Sequence, residues 1–300
     1  MEQVDYKELK KGGFIQQVQK DNFSMRLGIV GGRIQAEQLL KVHEIAKKYG
    51  HGYIHMTSRQ SIEIPFIKLE DIETVKKELA EAELYPAASG PRVRTITACQ
   101  GNGVCRNGLI DSTDLATEFG KRYYGKDLPH KFKLGITACS NNCLKAEEND
   151  LGVKGAVKPN WNKDNCIYCG LCENVCRHGA ITIDKAVKSF SYDTSACRYC
   201  GRCVKACPKE AWEGKSGLIV YFGGLFGNRI AIGKQLLPII FSKDELFEIV
   251  DATLGFFEKH GKKGERFRYT VERVGWVLFE KDLQACQQRL ARVHWLPEEC

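Results

Sequence analysis

Four cysteines spaced C-x2-C-x2-C-x3-C occur twice in this chain, at Cys166, Cys169, Cys172 and Cys176 and again at Cys197, Cys200, Cys203 and Cys207, the second run followed by Pro208. Three thiolates at this spacing bend around the corners of one iron–sulfur cube, and the fourth of each run reaches the other cube. Cys166, Cys169, Cys172 and Cys207 are therefore assigned to one [4Fe–4S] cluster, and Cys176, Cys197, Cys200 and Cys203 to a second. Arg177 stands where a proline usually follows the fourth cysteine, which alters the turn and removes no ligand. Zinc is the plainer alternative, but zinc sites rarely repeat a fourfold run.

The chain of 300 residues has fourteen cysteines, and outside these runs they form two looser pairs, Cys99-x5-Cys105 and Cys139-x3-Cys143, plus the isolated Cys286 and Cys300. Neither pair is diagnostic alone. Together they offer four thiolates on two segments, the number a third cube needs, against the alternative of unrelated buried cysteines. Met1–Lys11 is charged and has no apolar stretch of the kind a secretory signal needs, so the expected compartment is the reducing cytoplasm, where clustered cysteines hold metal and seldom form disulfides. Cys286 and Cys300 read as ordinary thiols. The net charge of +8 is spread along the chain without a basic run or a nucleic-acid motif, so nucleic acid is not an expected partner. No segment is long and apolar enough to suggest a membrane span.

Between the first pair, Gly101-Asn102-Gly103 starts like a dinucleotide fingerprint, but the next glycine, Gly108, comes too late. These glycines are read as letting backbone approach a cluster. In Leu128–Cys143, Lys131 and Lys133 flank Phe132, so at strand period both ammonium groups point to one side, six residues before Cys139. Two cations beside a redox centre suggest an anion reduced there; a solvated strand edge is the alternative. The seven histidines show no ligand spacing.

Elsewhere the pattern predicts an α+β protein. Phe23, Met25, Leu27 and Ile29 alternate as a strand that stops at Gly31-Gly32. Leu39, Val42, Ala46 and Tyr49 recur at helix spacing up to Gly50, and Ile72, Val75, Leu79 and Ala82 form a second helix ended by Pro86. Residues 52–57 and 62–66 read as strands, the latter with Ile62, Ile64 and Phe66 on one face. Residues 92–98 form a β-branched run, and a helix starts near Ser112 with Leu115, Phe119 and Tyr123 inward. Residues 152–159, rich in Gly, Lys and Pro, read as a linker before a cysteine-rich segment at 160–211. Residues 217–237 return to strand and glycine-loop character, and 242–296 read as mostly helical.

C-x5-C followed by C-x3-C, with basic residues ahead of each, resembles the siroheme sulfite and nitrite reductase family. Thr57-Ser58-Arg59-Gln60, Arg94-Thr95-Ile96-Thr97 and Leu128-Pro129-His130-Lys131-Phe132-Lys133 resemble further passages of that family, and the likeness spans residues 14–290. It implies one half of a sulfite reductase-type α+β fold. A ferredoxin-like unit would occupy residues 1–90, and a siroheme and [4Fe–4S] domain residues 91–159 and 212–300. A bacterial-type 2[4Fe–4S] ferredoxin would be inserted at 160–211, as in small anaerobic or dissimilatory-type subunits.

The same resemblance implies that Cys99, Cys105, Cys139 and Cys143 hold a cluster whose Cys143 also caps siroheme iron. Arg94, Lys131 and Lys133, with Arg26, would face sulfite, while Thr57 and Arg59 would meet siroheme carboxylates or the substrate side. Gly223, Gly224 and Gly227 resemble the family's late glycine loop, and Arg229 is carried over with them, although Asn228-Arg229 replaces a Gly-Arg run. His55 stands where some relatives have arginine. The implied reaction is the six-electron reduction of sulfite to sulfide, with electrons passing through the inserted clusters to the siroheme-coupled one. An external donor protein or subunit and a homodimer or larger symmetric assembly are implied as partners. Reduction of nitrite to ammonia on the same site, and a non-catalytic multi-cluster electron carrier, are the alternatives.

Overall fold

The structure, a computed structural model, describes residues 4–293. Cys300 lies outside the described residues, and Cys286 is buried in the last helix. The first unit contains α1 (Tyr6–Lys11), β1 (Phe14–Gln16), β2 (Asn22–Arg26), α2 (Ala36–Tyr49), β3 (His55–Met56), β4 (Ile62–Lys68) and α3 (Ile72–Glu81). Its strands form one antiparallel sheet in the order β1-β2-β4-β3. The alternation in β2 does what period two requires: Phe23 and Met25 are fully buried, and they share a core with Val42 and Ile45 of α2 and Val75 and Leu79 of α3.

Three expectations fail here. The β2–β4 register shifts between Phe23 and Met25, and Phe66 adopts φ 66°, so Ile67 rather than Phe66 turns inward. Leu39 is exposed, and Ile45 takes the inward place on α2. The expected strand at 52–57 is reduced to His55–Met56.

The second unit begins with β5 (Thr97–Ala98), α4 (Ser112–Tyr123), β6 (Leu134–Thr137) and β7 (Leu151–Trp161). Residues 162–211 follow as a cysteine-rich lobe with α5 (Leu171–Val175), β8 (Ile181–Asp184), β9 (Ser189–Tyr192) and α6 (Arg202–Ala206). The main sheet then resumes with β10 (Trp212–Phe222) and β11 (Lys234–Gln235), and α7 (Lys243–His260), α8 (Phe267–Val274) and α9 (Trp276–Val293) complete the described chain. The sheet order is β11-β10-β7-β6-β5, with β5, β6 and β7 parallel and β7, β10 and β11 antiparallel. The β-branched run at 92–98 makes only the two-residue β5, preceded by single bridges from Arg92 to Asp127 and from Val93 to Phe132.

Residues 152–159 are not a linker; they lie inside β7, the middle strand of this sheet. Their glycines answer crowding rather than flexibility. A Cβ on Gly152 would stand 1.9 Å from the Ala146 carbonyl oxygen, and one on Gly155 would stand 2.3 Å from that of Ala138. β7 and β10 pair without a break from Leu151↔Phe222 to Trp161↔Trp212. The lobe therefore leaves and re-enters the sheet at a single rung.

One core joins the sheet to α4 and α7–α9. Asp111 starts α4 by accepting the Thr113 and Asp114 N–H groups, and Ser242 starts α7 in the same way with Asp244 and Glu245. Phe132 is fully buried against Phe257 and Phe267 at ring distances of 5.9 and 5.3 Å. Truncating it to alanine should cost about 3–5 kcal/mol. It pins the backbone on which Lys131 and Lys133 sit. Among the described residues, no helix is long and apolar enough to cross a membrane.

Candidate functional site

The two units meet at a set of cations. A cavity of about 130 Å³ is walled by Arg26 at the end of β2, by Thr57 and Arg59 from the β3–β4 turn, and by Arg94 ahead of β5. Arg59 spans the units: its Nη2 donates to the Thr95 carbonyl at 2.7 Å and the Leu134 carbonyl at 3.3 Å, and its Nη1 to Asn149 Oδ1 at 3.4 Å. Arg94 Nη1 donates to Ser89 Oγ at 3.1 Å. The Nε atoms of Arg59 and Arg94 are buried with no hydrogen-bond partner among the described residues. Arg26 differs, because Glu63 already accepts from its Nε at 2.7 Å and also from its Nη2.

A second cavity, of about 430 Å³, shares Arg59 and adds Lys133, Cys143, Lys145, Asn149 and Phe226. Burial, then the charges of Arg59 and Arg266, pull the Lys133 ammonium down to about 8. Burial also lowers Lys131, with Arg266 and Arg94 adding to it. The same combination, burial first, brings Arg59 down to about 10 and lowers Arg94. Cations crowded in a partly dry place lose affinity for their protons, and an anion would relieve them all.

Asp150 and Arg266 hold this arrangement from behind. Arg266 Nη2 donates to both Asp150 carboxylate oxygens at 2.9 Å, and the Lys133 backbone N–H donates to Oδ2 at 2.8 Å. Asp150 is fully buried, which pushes its carboxyl up against the pull of Arg266. No spacing in the sequence marks this pair, since its members are 116 residues apart.

The late glycines divide. Gly223 has φ 72° and donates its N–H to the Asp150 carbonyl at 2.7 Å, and a Cβ on Gly224 would stand 2.2 Å from the Glu147 carbonyl oxygen. Both are needed for the turn that brings Phe226 to the cavity wall. Gly227 and Arg229 lie exposed beyond that wall, with Arg229 over the Tyr269 ring at 5.3 Å.

Cys99, Cys105, Cys139 and Cys143 come together beside the second cavity. Burial raises the Cys139 thiol, and the neighbouring Cys99, Cys143 and Cys105 add to the rise. The two loops are stitched by Leu109 N–H to the Ala138 carbonyl at 2.9 Å and by Ala138 N–H to Cys99 Sγ at 3.1 Å. A Cβ on Gly101 or Gly108 would stand 2.8 Å from Ser112 N or 2.5 Å from Asn102 N, whereas Gly103 faces open space. Cys143 also lines the cavity of Arg59 and Lys133.

In the lobe, Cys166, Cys169, Cys172 and Cys207 line one cavity, closed on one side by Trp212. Burial raises the Cys172 thiol, opposed by the Trp212 side chain. Burial, with Cys200 and Cys197 nearby, pushes Cys203 up to about 12. Cys176 packs against the same small core as Cys203 and Cys207. Among the described residues, no group of three or more His, Cys, Asp or Glu is set to hold a single metal ion. In a cube each thiolate binds a different iron, so its ligands stand further apart than those of one ion.

Residues 89–291 match the family described as the nitrite and sulphite reductase 4Fe-4S domain, and residues 15–82 match the nitrite/sulfite reductase ferredoxin-like half domain. The chain belongs to the nitrite and sulfite reductase family. Within that family it is similar to the coenzyme F420-dependent sulfite reductase of Methanocaldococcus jannaschii, at 32% identity over 86% of this chain. The match spans only 42% of that longer protein. It is also similar to an anaerobic sulfite reductase subunit of Salmonella typhimurium, at 31% identity over 90% of this chain and 88% of the relative. Among solved structures, dissimilatory sulfite reductase I matches with a TM-score of 0.69 at 20% identity, over 88% of this chain and 69% of that one. That match shows the nitrite and sulfite reductase fold.

Proposed function

We propose that this chain is the siroheme-binding catalytic subunit of a sulfite reductase, reducing sulfite to sulfide with six electrons. The observation that carries the reading is the convergence of Arg59, Lys133 and Cys143 on one cavity, with Arg94 and Arg26 on the adjoining one. The residues fit such a cofactor. Among the described residues, the buried Nε atoms of Arg59 and Arg94 have no acceptor, which the carboxylates of siroheme and the oxygens of sulfite would supply. Thr57, Arg59 and the Gly223–Gly224 turn would hold the macrocycle, and Cys143 would be the thiolate it shares with the cluster of Cys99, Cys105 and Cys139. When bound, siroheme and its coupled [4Fe–4S] cluster supply the electrons.

The protein's own part is electrostatic and acid–base. Arg94 offers a planar fork to oxyanion oxygens, while Lys131 and Lys133 offer point charges that also release protons. A lysine held near 8 gives up a proton close to neutral pH far more readily than one in water, as departure of oxygen as water demands. Arg26, already paired with Glu63, has the smaller share.

Residues 160–211 are proposed as an inserted two-cluster ferredoxin, between a ferredoxin-like unit at 1–90 and a siroheme domain at 91–159 and 212–300. The cavity common to Cys166, Cys169, Cys172 and Cys207 supports the crossed ligand assignment. The second run is seated on the sheet, where Val157 N–H donates to the Tyr199 carbonyl at 2.8 Å. An external electron donor and a symmetric assembly of copies complete the proposal, in keeping with a Salmonella relative named as a subunit. Steady-state kinetics with sulfite and nitrite as competing acceptors test the substrate: a higher kcat/KM for sulfite supports the reading, and a higher one for nitrite overturns it.

A further inference from the structure

The lobe repeats itself in hydrogen bonds as well as in sequence. Tyr168 N–H donates to Cys166 Sγ at 3.4 Å, and Tyr199 N–H to Cys197 Sγ at 3.4 Å. Ala180 N–H donates to Cys176 Sγ at 3.3 Å, and Ala211 N–H to Cys207 Sγ at 3.2 Å. The residue after each alanine breaks the match: Ile181 in one half, Trp212 in the other. Trp212 is 3% exposed, and among the described residues its buried Nε1 has no hydrogen-bond partner other than the Cys172 sulfur that its side chain faces. Its side chain nevertheless lines the cavity that Cys166, Cys169, Cys172 and Cys207 share. The ring is held there by Phe190 and Tyr192, at centroid distances of 5.6 and 5.5 Å, and by the Trp161↔Trp212 rung.

A buried N–H needs an acceptor, and the one this N–H meets is the Cys172 sulfur, in the wall of a sulfur-lined cavity. We propose that Trp212 donates an N–H···S hydrogen bond to the [4Fe–4S] cluster of Cys166, Cys169, Cys172 and Cys207 and raises the reduction potential of that cluster alone. The inference rests on the two-cluster reading of the lobe. Reduction adds negative charge to the cluster, so a fixed N–H dipole stabilises the reduced form more than the oxidised one. Ile181, the counterpart by repeat, has no donor to offer. The other cluster has a different side-chain donor, the half-buried Tyr192 hydroxyl against Cys197, so replacing Trp212 leaves that contact in place.

The test is an EPR-monitored redox titration of anaerobically purified Trp212→Phe holoprotein, with iron analysis, beside wild type and Trp161→Phe. Trp161 Nε1 is also buried with no hydrogen-bond partner among the described residues, but Trp161 does not line this cavity. The expected result is a full iron complement in all three proteins, with one lobe cluster of Trp212→Phe moved to a more negative potential. Trp161→Phe should shift neither. Because the substitution could loosen the cluster, Trp161→Phe protein carrying 15N at its indole nitrogens provides a second reading with Trp212 intact. A 15N hyperfine coupling on one reduced lobe cluster supports the bond. An unmoved potential at full iron content, or absence of that coupling, overturns the inference while leaving the two-cluster reading standing. Wild-type protein without lobe clusters overturns that reading and the inference with it.

Discussion

Lys133 and Asp150 are joined through the backbone: the Lys133 N–H donates to Asp150 Oδ2 at 2.8 Å, and Asp150 is itself buried against Arg266. The lysine's main chain is fixed by an anion, while its side chain lines a cavity crowded with cations. A structural carboxylate behind the strand and a reactive ammonium in front of it are thus built from adjoining groups.

Lys131→Ala and Lys133→Ala should each retain the siroheme absorption and lose turnover by a factor on the order of 100 or more. Neither residue is needed to hold the macrocycle, whereas both would supply protons. Visible spectra and kcat measured on the same preparations check this; wild-type kcat in both variants would remove the lysines from the chemistry.

The depressed Lys133 ammonium has a pH signature. The donor is charged below its pKa, so kcat should fall as pH rises through about 8, by about tenfold per unit if this proton transfer limits the rate. Lys133→Arg, whose guanidinium keeps the charge but does not release its proton, should lower kcat and abolish this fall. A profile unchanged by that substitution would contradict the role.

Asp150→Ala leaves Arg266 buried without its partner and the Lys133 N–H without its acceptor. Breaking a buried pair from one side costs roughly 3–5 kcal/mol. Urea unfolding should show that loss in the midpoint, and a change below about 1 kcal/mol would mean that water replaces the carboxylate.

Gly155→Ala places a methyl group 2.3 Å from the Ala138 carbonyl, next to Cys139. The strand must shift, at roughly 1–3 kcal/mol, and iron content should fall as the cluster loops part. Gly255→Ala on α7, where nothing lies within 4 Å, should keep its iron. Equal iron in both proteins would show that the β7–Cys139 contact is soft.

Much of the site was legible because cysteines and cations carry their chemistry in their spacing. The four-cysteine runs, the paired C-x5-C and C-x3-C, and Lys131-Phe132-Lys133 needed no tertiary information to stand out. The β7 strand was hidden for the opposite reason. Gly152 and Gly155 look like a linker, and only the folded chain shows the two carbonyl oxygens that exclude a side chain there. Asp150 and Arg266 were hidden because a single buried pair separated by most of a domain leaves no periodic trace. Arg26 stood out as a cation, but its pairing with Glu63 arises from strand register, which the alternation of β2 alone does not set.

The most direct test of the account is the visible spectrum of the anaerobically purified protein before and after sulfite is added. Siroheme bands on top of iron–sulfur absorption, shifting when sulfite binds, are the predicted result. Iron–sulfur absorption alone, unchanged by sulfite, would contradict it and leave a carrier of electrons in place of an enzyme.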